Sequence, residues 1–105
     1  MDGIPASLSG LQTAGQSIAL SANNVANLNS TGYRARSLTQ EDLPQGGVYG
    51  AAVQQSQAPL NPGGGNVDLA TEAVNLDTQG TAYQADLKFL QVQNKMLGSA
   101  LDLNA

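Results

Sequence analysis

The chain of 105 residues contains no cysteine, no histidine and no tryptophan, and Phe89 is its only phenylalanine. Without cysteine there is no disulfide, no thiolate metal site and no thiol nucleophile. Without histidine the usual general base at neutral pH and the commonest metal ligand are both missing. Large side chains are scarce too, with aromatics at 4% of residues. A round core of this size would hold more of them, because a small domain must bury most of the apolar bulk it has. Charge is equally thin. Only 11% of residues are charged, and the basic ones are Arg34, Arg36, Lys88 and Lys95. So few and scattered cations cannot neutralise a run of phosphates, which argues against nucleic acid as a partner. No apolar run reaches the length of a membrane span, and no basic stretch followed by an apolar one marks a cleavable signal. No cofactor or metal motif is visible, and no nucleophile–base pair can be assembled, so the chain does not read as an enzyme.

What remains is rich in Ala, Leu, Val, Asn and Gln, a mixture suited to closely packed helices. Residues 1–32 form a first segment in which Ile4, Leu8, Leu11, Gly15, Ile18, Ala22 and Val25 recur at steps of four and three. That spacing predicts a helix with a heptad seam, over Asp2–Leu28. Asn27 to Gly32 then end it, because Asn is a poor helix interior residue and Gly accepts the left-handed conformation that closes a helix. Residues 33–65 carry Pro44, Pro59, Pro62 and two glycine runs. They read as a mobile connector, with Val48–Val53 as a strand of a short edge hairpin in the alternative. Residues 66–105 open on Asn66 as a helix cap, with Asp68 and Glu72 favouring the positive helix end. The seam Leu69, Ala73, Leu76, Gly80, Tyr83, Leu87, Leu90, Asn94, Leu97 and Leu101 predicts a helix over Asn66–Asp102, roughly 55 Å long at 1.5 Å per residue. The expected fold is therefore all-α and a single domain: two long antiparallel helices, a coiled-coil-like hairpin, joined by the Pro/Gly-rich segment. Leu8, Leu11, Ile18, Val25, Leu69, Leu76, Tyr83, Leu87, Leu90 and Leu97 are the expected packing residues. Val74, Phe89 and Met96 lie off the seam and widen the apolar surface, so further partners are expected. Gly15 and Gly80, each inside a seam, read as points of close backbone approach or, in the alternative, as flexible points.

The run Asn23-Asn24-Val25-Ala26-Asn27-Leu28-Asn29-Ser30-Thr31-Gly32-Tyr33 resembles the N-terminal signature of the flagellar axial family, the rod, hook and hook-associated proteins. Asn66–Leu76, Tyr83-Gln84-Ala85 and Lys95-Met96-Leu97 look like the C-terminal helix of the same family. About 30 residues separate the two motifs, which is similar to the short proximal-rod members, their C-type branch in particular. The resemblance implies a structural subunit of the flagellar basal-body rod in the periplasm. Such a subunit is exported through the flagellar type III apparatus without a cleaved signal, and assembles with itself and other rod proteins through its terminal helices. It implies an assembly motif of Asn23, Asn24, Ala26, Asn27, Thr31, Gly32 and Tyr33. By residue type alone the Asn cluster reads as solvated helix-end residues ahead of amides that bond neighbouring subunits; the resemblance favours the second. A soluble adaptor that uses the same hairpin to bind a flagellar or export component is the other reading.

Overall fold

A computed structural model describes residues 3–44 and 46–103, with side-chain surroundings given from Pro5 to Asp102 apart from position 45. Four elements follow one another: α1 (Gly3–Ala26), β1 (Arg36–Asp42), β2 (Val48–Gln55) and α2 (Leu69–Leu103). With two helices and a two-stranded antiparallel sheet the chain is mixed α/β, which corrects the all-α expectation. The segment read as a mobile connector holds an ordered antiparallel hairpin, with Arg36 opposite Gln55, Asp42 opposite Val48 and a bulge between Thr39 and Gln40. A two-stranded ribbon is marginal alone. Here α1 supports it: Ser9 Oγ accepts the Val48 N–H at 3.2 Å, and Thr13 Oγ1 donates to the Val48 carbonyl at 3.4 Å. At Gly50 the hairpin and α1 come close, and a side chain there would meet both Leu38 and Gln16.

The helices run antiparallel. Gly10 lies against Asp86, Gly15 against Tyr83, and Asn24 bonds Glu72. In that register Gly3 stands level with about residue 93, so the last turns of α2 run past the start of α1. Both the hairpin and α2 pack on α1, and they do not pack on each other. The molecule is accordingly long and thin, 67 × 24 × 15 Å.

The helix interface differs from the expected seams. Among the described residues of α1, Ser7, Leu11, Thr13, Ala14, Ser21 and Asn24 are buried, whereas Leu8 is 47% exposed. Toward them α2 turns Glu72, Leu76, Gln79, Asp86, Leu90 and Gln93, which are buried or half-buried, while Leu69, Leu87, Leu97 and Leu101 face solvent. Small polar residues let the backbones approach closely, so the stripe rich in Ser, Ala and Gly wins over the stripe richest in Leu. Gly80 is not a point of close approach, since a Cβ there would meet nothing within 4 Å. Gly65 is: a Cβ there would collide with the Tyr33 carbonyl.

Candidate functional site

α1 ends at Ala26, two residues before the expected Leu28, and the chain turns through residues 27–32. The turn is stitched locally. Asn27 Nδ2 donates to the Asn23 carbonyl at 2.9 Å and to Asn23 Oδ1 at 2.7 Å, and Ser30 Oγ donates to Asn27 Oδ1 at 3.1 Å. Gly32 closes the turn with φ +76°, a conformation that costs a residue with a Cβ but not glycine. Its N–H donates to the Gly64 carbonyl, and the Asn66 N–H donates to the Tyr33 carbonyl, both at 3.0 Å. Thr31 Oγ1 adds a bond to the Gly63 carbonyl at 3.3 Å. The glycine run of residues 63–65 thus lies flat against the exit of α1.

Turning the chain in this way brings Tyr33 back over the last helical turn, where its hydroxyl donates to Asn24 Oδ1 at 2.8 Å. Asn24 is 1% exposed, and its amide is fully used. Oδ1 also accepts the Arg36 N–H at 3.0 Å, while Nδ2 donates to the Arg36 carbonyl at 2.8 Å and to Glu72 Oε1 at 3.0 Å. A carboxamide offers two donor hydrogens and two acceptor lone pairs, and all four are matched. One side chain therefore ties the end of α1, the first residue of β1 and the first turn of α2. Expected between subunits, the Asn24 amide instead bonds inside the chain, with no donor or acceptor left for a neighbour.

Asn66 makes a second tie. Its Oδ1 accepts the Ala35 N–H at 2.7 Å, and its Nδ2 donates to the carbonyls of Ser56 and Ala58 at 3.2 and 3.0 Å. Arg34 reaches the same two carbonyls at 3.1 and 3.3 Å. Asn66 is thus not the helix cap. Asp68 is, with Oδ1 accepting the Ala70 N–H at 3.1 Å and the Thr71 N–H at 3.5 Å, so α2 begins at Leu69 and not at Asn66. Glu72, read in sequence as compensation for the helix dipole, is 5% exposed and faces Asn24.

The structure thus gathers Asn24, Gly32 and Tyr33 into one corner and adds Arg36, Asn66 and Glu72 to it. Asn23 and Ala26 point outward, and Thr31 lies on the outer side of the turn. Of the expected packing residues, Leu11 is buried, Ile18, Val25, Leu76 and Leu90 are half-buried, and Tyr83 lies beside Gly15. Beside the corner runs a polar groove of about 430 Å³, walled by Ser17, Ser21, Arg36, Glu72, Asn75 and Gln79 among others. Among the described residues no group of three or more acidic side chains could hold a metal, and no helix is long and apolar enough to cross a membrane. Compared with known proteins, the chain matches no family model and no curated protein.

Proposed function

We propose that the chain is a structural subunit of the bacterial flagellar basal-body rod, exported through the type III apparatus and assembled in the periplasm with itself and other rod proteins. The observation that carries this reading is the corner at the end of α1. The residues that resemble the axial signature, Asn24, Gly32 and Tyr33, are those that lock the two terminal helices together. A signature made of joint-forming residues fits a protein whose working part is a rigid helix pair. Asn23 and Ala26, exposed on the outside of the same corner, are the residues left to meet a neighbouring subunit. The role is structural, with no catalysis.

Fractionation of the organism that encodes the chain tests the reading. Purified basal bodies should contain the chain, and its deletion should abolish motility and stop rod growth. A chain that stays in the cytoplasm while its deletion still blocks motility would overturn the rod role in favour of an adaptor for the export machinery.

A further inference from the structure

α2 carries two stripes at coiled-coil spacing, and α1 covers only one. Ala82, Ala85, Phe89, Val92, Met96 and Ser99 recur at alternating steps of three and four, about 120° round the helix from the face that meets α1. All six are exposed, Phe89 at 52%, Val92 at 54% and Met96 at 61%. Among the described residues no other element packs on α2. The stripe also has the relief of a seam. Val92, Lys95, Met96 and Ser99, with Ala100, surround one shallow hollow, and Lys88, Gln91, Val92 and Lys95 surround the next. Each foursome has the spacing i, i+3, i+4, i+7, that of the residues which receive a knob from a facing helix.

We propose that in the free protein this stripe pairs with the same stripe of a second copy, the two α2 helices running antiparallel. The charges select this arrangement. Lys88 and Lys95, the only lysines, lie with Asp102 along one flank of the stripe. In a parallel pair that flank would meet the opposite flank, bringing Lys88 to Gln93 and Lys95 to Ala100, with no acid in reach. In an antiparallel pair the flank meets itself. With Val92 against the partner's Met96, Lys88 stands beside the partner's Asp102, and the two-fold axis repeats the pair. Lys95 comes near the axis, where its long stem can carry the charge outward to water. In this register the partner's Val92 enters the hollow between Val92, Lys95, Met96 and Ser99. Bulk is matched as well, with Phe89 opposite the partner's Ser99.

This deepens the self-association in the proposed function and names its surface; the rod itself is not needed for the test. Because the chain has no cysteine, single-cysteine variants of the full chain report the geometry directly. Under mild oxidation Lys95→Cys should link two copies, while Ala85→Cys, placed far from its own copy, should not. Sedimentation of the purified chain at about 100 µM should show a dimer. Val92→Asp, a change at an exposed position, should leave helicity intact and weaken the dimer by at least about a hundredfold. Asp102→Lys should weaken it about tenfold at low salt, and adding Lys88→Asp should restore it. A chain that sediments as a monomer, a Val92→Asp variant that associates as before, or preferential linking through Ala85→Cys would each overturn the proposal. Basal bodies that lack the chain overturn the rod reading and leave the dimer standing; a monomer at every concentration does the reverse.

Discussion

Replacing Asn24 with alanine removes four hydrogen bonds at once and strands the Glu72 carboxylate, the Tyr33 hydroxyl and both backbone groups of Arg36. Intrinsic helix propensity rises by a few tenths of a kcal/mol, but unmade bonds to buried groups cost about 1–3 kcal/mol each where water cannot replace them. The second effect wins, and Asn24→Ala is expected to lose about 3 kcal/mol in urea unfolding followed by circular dichroism. Gly32 is a cleaner case. A Cβ there meets nothing within 4 Å, so the whole cost of Gly32→Ala is backbone strain at φ +76°. About 1 kcal/mol is expected, and less for Gly32→Asn, which tolerates the left-handed region better. Equal melting temperatures for Gly32→Ala and the parent chain would show that the turn opens freely.

At the level of elements, the hairpin has a titratable marker. Tyr49 stands opposite Glu41 across the strands, and its hydroxyl donates to Glu41 Oε2 at 2.8 Å. That hydrogen bond, with the negative charge beside it, holds the Tyr49 pKa above its ordinary value of 10.0. A folded-state pKa raised above the unfolded one means that the contact supports the hairpin at and below the ordinary tyrosine range. The support is lost as pH rises through the raised value. Glu41→Gln should bring the phenol back toward 10.0 in an ultraviolet titration. In α2, Gly80→Ala should stabilise the chain by about 1 kcal/mol, since the new methyl meets nothing within 4 Å. The two helices, and the break marked by Pro44, Pro59, Pro62 and the glycine runs, were legible because spacing and breakers are local signals. Of the hairpin, β2 was legible only as the alternative reading of Val48–Val53, and β1 (Arg36–Asp42) was not, because it has one apolar residue, Leu38, and is held by α1. Nor was the corner legible: Glu72 lies 48 residues from Asn24, and the seam spacing does not say which stripe of each helix faces the other. Gly32 was legible because a helix-ending glycine carries its own conformational reason.

As a whole the molecule is a rod of 67 Å whose buried apolar side chains, among the described residues, are Leu11, Ala14 and Val67. So little burial leaves cohesion to the polar ties at one end and to the helix interface. In dilute solution, amides of α2 beyond about residue 93, level with the start of α1, should exchange with solvent far faster than those between Glu72 and Leu90. Uniform protection along α2 at low concentration would contradict this. The asymmetry also supplies a natural gauge. The Arg36 amide donates to a side chain, Asn24 Oδ1, whereas β1 and β2 are joined through their backbones. Its proton is therefore released when the corner opens, even while the hairpin stays zipped. In a nuclear magnetic resonance record of deuterium uptake, that one signal times the unlatching of the helix pair, and the strand amides beside it serve as the internal clock.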